Sequence, residues 1–413
     1  MRPVADYFAR EDDFPDLDRE GALARLSAAI RCKTINYADH SLTDYTEFDR
    51  LHAHIKASYP NIMRAGAFER LGHHAVLITI PGSDKALRPC LYMSHQDVVP
   101  VGEGTEQDWT HPAYSGDVAD GYIWGRGTID IKEQVFGVLE AAEYLLAHGK
   151  SFRRTAYLAF GDDEETLNLG ALATSDHLKA QGVTLEFVLD EGGYKIDSGE
   201  AYGAPELAVA TVELMEKGYA DLELSVHSIG GHSSRPYGGT SLEVLSRAIT
   251  AICDIEWPTR VTDLLAAQLV ELGLYTADEI AANGDAIVRD CLASKKLYPL
   301  VTTTCAPTQI EGGSTGANVM PQDMWANINF RMLEGTSVAD VVARCREAVA
   351  GADLAGCVEV ELGPGSSEPS PSPRVGGPGL EAVRAIAARY FRDPKGTEEN
   401  GPSATGGAPV SIV

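Results

Sequence analysis

A short β-type run leads directly into polar side chains in the stretch CLYMSHQD, residues 90–97. The apolar part of the run is followed by His95 and Asp97, which are two residues apart. Side chains at this spacing on an extended chain lie on the same face, so Asp97 is placed to accept the ring N–H of His95. The stretch therefore predicts a strand that ends in an imidazole and a supporting carboxylate.

Similar β-type runs alternate with helical patterns through the first half of the chain. The β-type runs are 74–80, 90–94, 155–160 and 185–189, and the helical patterns are 134–148 and 171–180. Strands and helices that take turns are typical of an α/β layer with a mostly parallel sheet flanked by helices. In such sheets ligands bind beyond the carboxyl ends of the strands. The residues directly after each run are therefore the first candidates for a functional site.

The pattern changes after about residue 213. Leu222, Leu224 and Val226 alternate with polar residues. Further strands are predicted near 301–310 and 324–332, and helices near 240–252 and 338–349. This β-α-β-β-α-β order indicates a small antiparallel sheet with helices on one face, a ferredoxin-like α+β domain.

The domain organisation follows from this change of pattern. We predict that residues 1–210 form the first part of a catalytic domain and that residues 211–335, or up to about 360, form an inserted domain. Residues 361–413 then return to the catalytic domain. A segment rich in Pro, Ser and Gly at 363–379 and a helical pattern at 380–392 are consistent with a return crossover.

Composition excludes several classes of protein. The 413 residues include 34 Lys and Arg against 60 Asp and Glu, so the net charge is 34 − 60 = −26. Such a chain repels phosphate backbones and anionic lipids, so neither nucleic acid nor a membrane is expected as a partner. No apolar run approaches the roughly 18 residues of a membrane span. Seven scattered cysteines without a Cys-x-x-Cys pair favour reduced thiols and a cytoplasmic location.

Carboxylates follow four of the predicted strands and turns. They are Asp97, Asp130, the acidic run 162–165, and the neighbours Asp190 and Glu191. Gathered at one edge, these groups would repel one another unless a divalent cation lay among them. One imidazole with several carboxylates suits zinc in a catalytic site, and cobalt or manganese is also tolerated by such ligands.

The adjacent acids Glu164 and Glu165 offer one metal ligand and one free general base, which metal-assisted hydrolysis requires. For the pair Asp190 and Glu191 the spacing leaves both residues open as the ligand, and we favour Asp190. The candidate metal ligands are thus His95, Asp130, Glu165 and Asp190.

Seven motifs together resemble the dinuclear zinc family that includes carboxypeptidase S, glutamate carboxypeptidase, carnosinase and aminoacylase, with the carboxypeptidase S branch most similar. The motifs are SHQDVVP at 94–100, GRGTIDIK at 125–132, DEE at 163–165, DEGG at 190–193, EKG at 216–218, GGHSSRP at 230–236 and ANVMP at 317–321. The resemblance covers roughly residues 20–392.

The resemblance implies a role for each matching residue. His95 and Asp190 would bind one zinc ion, Glu165 the second, and Asp130 would bridge the two. Asp97 would orient His95, and Glu164 would act as the general base. By this resemblance the inserted domain would be a lid and dimerisation module. Its His232 would stabilise the oxyanion of the tetrahedral state. There Arg331, with Asn318 nearby, would hold the substrate carboxylate.

The implied protein is a cytoplasmic homodimer with two zinc ions per subunit that hydrolyses amide bonds of small peptides or N-acyl amino acids with a free carboxylate. One departure motivates an alternative. The family places its last metal ligand, a histidine, near the carboxyl end, whereas His232 is the last histidine here. We expect a truncated or frameshifted chain after about Arg392, or substitution by Glu398, Glu399 or water. The alternative function is a catalytically impaired or dead relative that acts as a dimerising or ligand-binding protein.

Overall fold

A computed structural model describes residues 14, 16–192, 196–198, 202–205, 208–236, 238–371, 375–390 and 410–412, with only the backbone described at 196–198, 208–211, 388–390 and 410–412. The chain divides into two compact units. The first unit comprises Arg10–Gly192 and Gly376–Val383, and the second comprises Met1–Ala9, Gly193–Val375 and Arg384–Val413. The domain boundaries predicted from the sequence, 1–210, 211–335 or about 360, and 361–413, stay predictions.

The first unit is built from short strands and amphipathic helices. Its elements are α1 Arg19–Ile30, α2 Tyr45–Ser58, α3 Pro60–Ala65, β1 Ala67–Leu71, β2 Ala75–Ile80, β3 Cys90–His95, β4 Val118–Ala119, β5 Tyr122–Ile123, α4 Glu133–Ala147, β6 Ala156–Gly161, α5 Leu169–Ala180 and β7 Phe187–Leu189. Asp18 and Asp44 cap α1 and α2 by accepting backbone N–H groups of the first turn.

Five of these strands form one sheet in the order β1-β2-β6-β3-β7. Strand β3 runs parallel to β6 and β7, whereas β2 is antiparallel to both β6 and β1. Strands β1, β6, β3 and β7 therefore point in one direction and only β2 opposes them. The predicted α/β class with a mostly parallel sheet flanked by helices is confirmed.

Alternate side chains of this sheet pack on opposite faces. On one face, Ile78 and Phe160 join a buried cluster with Phe136 of α4 and with residues of α1, α2 and α3. On the other face, Leu77 packs in a cluster with Leu178 of α5. Burying each such side chain contributes roughly 1.5–3 kcal/mol. Helices on both faces thus leave only the strand ends open for a site.

The second unit contains the remaining strands and most of the remaining helices. Its elements are β8 Ile196–Ser198, β9 Ala208–Val212, β10 Gly218–His227, β11 Gly231–His232, α6 Ser241–Cys253, α7 Asp263–Glu271, α8 Ala277–Ala293, α9 Tyr298–Val301, β12 Thr304–Gly312, β13 Val319–Met320, β14 Asp323–Met332, α10 Val338–Gly351, β15 Glu359–Leu362 and β16 Val410–Ile412. Helix α11, Pro378–Tyr390, runs across the boundary that divides the units.

An antiparallel sheet in the order β12-β14-β10-β15 organises the second unit. Leu222, Leu224 and Val226 of β10 are buried against a cluster that includes residues of α6 and α10. The predicted β-α-β-β-α-β order is present. The sequence analysis did not predict α7, α8 and α9, which lie between α6 and β12 in the chain. They pack around a separate cluster of buried apolar side chains. In the part of the chain that the structure describes, no helix is long and apolar enough to cross a bilayer.

Candidate metal centre

Strand pairing in the first unit brings the predicted site residues to one edge. His95 is the last residue of β3 and lies opposite Gly161, the last residue of β6. Because β3 and β6 are parallel, the acidic residues that follow Gly161 emerge beside His95. Strand β7, also parallel to β3, ends at Leu189 and leads into Asp190 and Glu191. The sheet thus collects the imidazole and the carboxylates at the carboxyl ends of its strands, as predicted.

His95 is shared by two groups of possible metal ligands. The first group is His95, Asp130 and Glu165, and the second is His95, Glu164 and Glu191, with the ligand atoms of each group within 4.8 Å of one another. His95 Nε2 lies 3.0 Å from Asp130 Oδ1, 3.3 Å from Glu191 Oε2 and 3.8 Å from Glu164 Oε2. Two ligand atoms on one tetrahedral zinc ion lie roughly 3.3 Å apart, given bonds of about 2.0–2.1 Å. The donor set therefore fits a divalent cation such as zinc.

Asp130 reaches the site from an irregular turn at Thr128–Lys132. Gly127, which precedes the turn, has a φ of +80°, and a Cβ there would lie 2.4 Å from Val98 Cγ1. Only glycine therefore fits at position 127. Asp130 itself has an extended backbone with φ −122° and ψ 94°, and its side chain is 68% exposed. The turn holds the carboxylate out from the sheet edge towards His95.

Asp97 ties His95 to the acidic loop after β6. Its buried carboxylate accepts the backbone N–H groups of Glu164 at 3.2 Å and of Glu165 at 3.0 Å. Asp97 Oδ1 also lies 3.4 Å from His95 Nδ1, and the Asp97 carbonyl oxygen lies 3.1 Å from the same atom. These acceptors favour a proton on Nδ1 and leave Nε2 facing the carboxylates. The contact supports the orienting role that resemblance implies for Asp97.

Asp163 is a further support for the acidic loop that the sequence analysis did not identify. Its carboxylate accepts the backbone N–H groups of Leu169 and Gly170, each at 2.7 Å, at the start of α5. Its carbonyl oxygen accepts the N–H groups of Thr166, Leu167 and Asn168. An acid close before a helical pattern is the sequence signal for such capping. Asp163 thus closes the loop that carries Glu164 and Glu165.

The pKa values at the centre indicate a surplus of negative charge. Burial lowers the pKa of His95, but its hydrogen bonds to Asp97 and Glu191 outweigh burial and raise the pKa to about 11. Burial raises the pKa of Glu164 to about 7; the carboxylates of Glu191 and Asp97 add to this effect, and His95 opposes it. Burial, followed by the charge of Asp130, raises the pKa of Glu165. Groups that bind protons this readily also favour a divalent cation.

The structure distinguishes the two acids that follow β7. Glu191, rather than Asp190, belongs to a ligand group with His95. Asp190 Oδ1 instead accepts the backbone N–H of Glu191 at 2.8 Å. Burial raises the pKa of Asp190, and the nearby charges of Glu191 and His95 act in opposite directions. Asp190 as a ligand therefore stays a prediction, and Glu191 joins it as a candidate.

The three predicted site residues outside this cluster belong to the second unit. His232 lies on the short strand β11, where its Nδ1 is 2.8 Å from Ser234 Oγ. Asn318 is close to it along the paired strand, because its carbonyl oxygen accepts the N–H of Ser233 at 2.9 Å. The Arg331 guanidinium on β14 lies 4.6 Å from the ring centre of Tyr219. Their roles stay predictions. The alternative ligands Glu398 and Glu399 lie outside the described residues, as does the segment directly after Arg392.

Glu133, at the start of α4, carries a partly buried carboxyl group. Its Oε1 atom has no hydrogen-bond partner among the described residues, and burial raises its pKa from 4.5 to about 7. Between these two pH values the folded protein keeps the proton while the unfolded chain releases it. The contribution of Glu133 to stability is therefore full below pH 4.5, declines as the pH rises through 7, and stays low above it.

We expect Glu133→Gln to increase the free energy of unfolding at pH 8 by roughly 1–2 kcal/mol. This value is smaller than the full pKa shift would give, because the group is only partly buried. At pH 4 the substitution should have little effect, since both states are then protonated. Urea unfolding of both proteins at the two pH values measures the difference. Glu69→Gln, at an exposed site on β1, is the matched control. An equal gain at both pH values would contradict the titration of Glu133.

The sheet and the ligand groups at its strand ends define an α/β fold with a candidate metal centre. The chain belongs to Peptidase family M20/M25/M40, whose sequence pattern matches residues 91–413. The resemblance to the zinc peptidase family, including carboxypeptidase S, is therefore confirmed.

Two relatives and one solved structure illustrate the similarity. The chain is 31% identical over 341 residues to a probable carboxypeptidase S-like 2 of Dictyostelium discoideum and 31% identical over 342 residues to an N-fatty-acyl-amino acid synthase/hydrolase PM20D1 of Xenopus tropicalis. Each match covers 80% of this chain and 65% of the relative. The M20 family metallo-carboxypeptidase Sso-CP2 of Sulfolobus solfataricus has a similar fold, with a TM-score of 0.61 and 18% identity, over 86% of this chain and 80% of that one.

Proposed function

We propose that this protein is a metal-dependent hydrolase that cleaves amide bonds of peptides or N-acyl amino acids with a free carboxylate. The observation that carries the proposal is the sharing of His95 between two groups of carboxylates at the strand ends. The free Nε2 of His95 can bind one cation, and the carboxylates on both sides offer oxygens to that ion and to a second one beside it. Zinc fits the donors best, and cobalt or manganese is compatible with them.

The residues that would hold the metal ions are His95, Asp130 and Glu165, together with Asp190 or Glu191. Bound there, a divalent ion supplies Lewis acidity to the substrate carbonyl and lowers the pKa of water. Asp97 keeps the Nδ1 proton of His95 in place, so that Nε2 remains available to the metal. The backbone N–H bonds that Asp97 accepts hold the two glutamates at their positions.

Glu164 is the residue proposed to move the proton. A base with a pKa near 7 can take a proton from water at neutral pH and can return it to the leaving amine. Its carboxylate is partly buried and lies at the same strand edge as the ligands. The position of this carboxylate and its raised pKa support Glu164, rather than Glu165, as the general base.

Residues of the second unit are assigned by resemblance. His232 would stabilise the oxyanion of the tetrahedral state, and Arg331 would hold the substrate carboxylate with Asn318 nearby. An arginine suits a carboxylate because its guanidinium can donate two parallel hydrogen bonds. We also propose that the protein is a homodimer through this unit.

The substrate class is supported by the names of the relatives, which include a probable carboxypeptidase and a synthase/hydrolase of N-fatty-acyl amino acids. Both kinds of substrate present an amide bond close to a free carboxylate. Aminoacylase and carboxypeptidase activities would therefore share this site. The alternative of a dead relative retained for binding or dimerisation is not favoured by these comparisons. A cytoplasmic location is proposed because all seven cysteines are free thiols.

The proposal predicts metal-dependent turnover. Protein stripped with a chelator should be inactive on a panel of dipeptides and N-acyl amino acids, and added zinc or cobalt should restore hydrolysis. Substrates whose carboxylate is blocked as an amide should react more slowly, because an arginine can no longer hold them. Binding of the panel without turnover, at full metal occupancy, would instead support the dead relative.

A further inference from the structure

The connection that follows α1 contains a buried segment, Cys32–Asn36, which we call the strap. It holds no candidate metal ligand, yet Cys32, Thr34 and Asn36 are each at most 2% exposed. Thr34 Oγ1 donates to the Gln96 carbonyl oxygen at 2.5 Å, and the Thr34 carbonyl oxygen accepts the N–H of Val98 at 3.0 Å. The strap is thereby bonded on both sides of Asp97, directly after His95.

The same segment also contacts the acidic loop. Asn36 Nδ2 donates to the Asp162 carbonyl oxygen at 2.8 Å, and Asn36 Oδ1 accepts from Thr166 Oγ1 at 3.0 Å. Asp162 and Thr166 lie on either side of Glu164 and Glu165 in the chain. One buried amide therefore links both ends of the segment that carries the proposed base and one metal ligand.

A third contact reaches the turn that carries Asp130. Lys132 is 1% exposed, and its Nζ donates to the carbonyl oxygens of Ala29 at 3.2 Å and Cys32 at 2.7 Å. These carbonyls lie at the carboxyl end of α1, where a cation is favoured by the helix dipole. No carboxylate forms an ion pair with Lys132 among the described residues. The Lys132 ammonium group thus links the Asp130 turn to Cys32, the first residue of the strap.

We propose that the strap is a positioning element that sets the spacing of the metal ligands. It is bonded to three of the four segments that supply them: the end of β3, the loop after β6 and the Asp130 turn. Thr34, Asn36 and Lys132 are positioning residues, since their polar atoms are bonded to the segments behind the ligands. Ligands must be held within about 0.5 Å of the productive geometry, and buried hydrogen bonds behind them supply that precision.

The test is metal affinity, which can be measured without any substrate. Thr34→Val removes one hydroxyl at constant shape and leaves the Gln96 carbonyl oxygen without this donor. We expect zinc and cobalt to bind about 10-fold more weakly, at the lower end of the range for residues that support ligands. Asn36→Leu should weaken binding at least as much, because it breaks two contacts. Calorimetric titration of metal-free protein measures both.

Two further variants separate positioning from general stability. Thr34→Ser keeps the hydroxyl and should restore wild-type affinity. Thr155→Val removes a comparable bond, from Gly82 N–H to Thr155 Oγ1 at 3.1 Å, at the opposite end of β6. It should lower the melting temperature of the metal-free protein without changing metal affinity. The strap variants, in contrast, should reduce the rise in melting temperature that added metal produces.

This inference rests on the proposed function only in assuming that the centre binds metal. If the wild-type protein binds no zinc or cobalt, the proposed function fails. If the wild-type protein binds metal and Thr34→Val and Asn36→Leu bind it equally well, the positioning role of the strap is wrong and the metal centre stands. Equal loss of affinity in Thr155→Val would also overturn the inference, because the effect would then reflect stability alone.

Discussion

Glu164→Gln is expected to reduce kcat/KM by about 10²–10⁴-fold, the range typical of removing a general base. The amide has nearly the same size as the carboxylate but cannot accept a proton from water at neutral pH. Metal content should stay at the wild-type level, because the group of His95, Asp130 and Glu165 is left intact. Steady-state kinetics combined with metal analysis of the same sample tests both parts.

The pH profile gives a second measure of the same residue. A general base must be unprotonated, so the rate should rise with pH through the pKa of Glu164. Burial raises that pKa to about 7, and a bound cation lowers it by favouring the charged carboxylate. The acidic limb of the profile should therefore lie at or below pH 7 and should be absent from the residual activity of Glu164→Gln.

The control for this substitution is Glu69→Gln, an exposed glutamate on β1 in the same unit. It should leave both kinetics and metal content unchanged. Loss of metal from Glu164→Gln would make Glu164 a ligand, as its membership of a group with His95 and Glu191 allows. Wild-type activity at full metal content would rule out Glu164 as the base.

His95→Asn is expected to abolish stable metal binding at the centre. His95 belongs to both ligand groups, so its loss weakens both at once. The affinity should fall by more than the roughly 10–100-fold that loss of a supporting residue costs. Activity should disappear with the metal, and the rise in melting temperature on adding zinc should vanish. Calorimetry and thermal unfolding measure these effects.

His111→Asn is the matched control for that experiment. His111 also contacts a carboxylate, with Nδ1 2.9 Å from Asp117 Oδ2, but it belongs to neither ligand group. Its substitution should leave metal binding unchanged. Two tightly bound zinc ions in His95→Asn would refute the centre. Titration of Asp190→Asn and Glu191→Gln in the same series assigns the remaining ligand, and the short distance from His95 leads us to expect the larger loss in Glu191→Gln.

Most strands of the two larger sheets could be predicted from local patterns. The β-type runs at 74–80, 90–94 and 155–160 correspond to β2, β3 and β6, with ends within one residue. Buried strands carry continuous or alternating apolar side chains, and this signal depends only on neighbours in the chain. The helices that were not predicted are α1, α2, α3, α7, α8 and α9. In α1 and α2 polar residues weaken the apolar pattern.

The edge at which the site lies follows from the same local information, because parallel strands bring their carboxyl ends together. The amino-acid sequence alone was therefore enough to name His95, Asp130, Glu164 and Glu165 as neighbours. The contacts that hold them depend on distant parts of the chain. Thr34 and Gln96 are 62 residues apart, and Asn36 and Asp162 are 126 apart.

No periodic pattern encodes such pairs, since a single buried hydroxyl or amide has the same appearance in the sequence wherever its partner lies. The capping role of Asp163, the proximity of Glu191 to His95 and the strap behind the ligands became visible only once the chain was folded. Strand ends are thus set by residues close in sequence, whereas the spacing of ligands is set by hydrogen bonds between residues that only folding brings together.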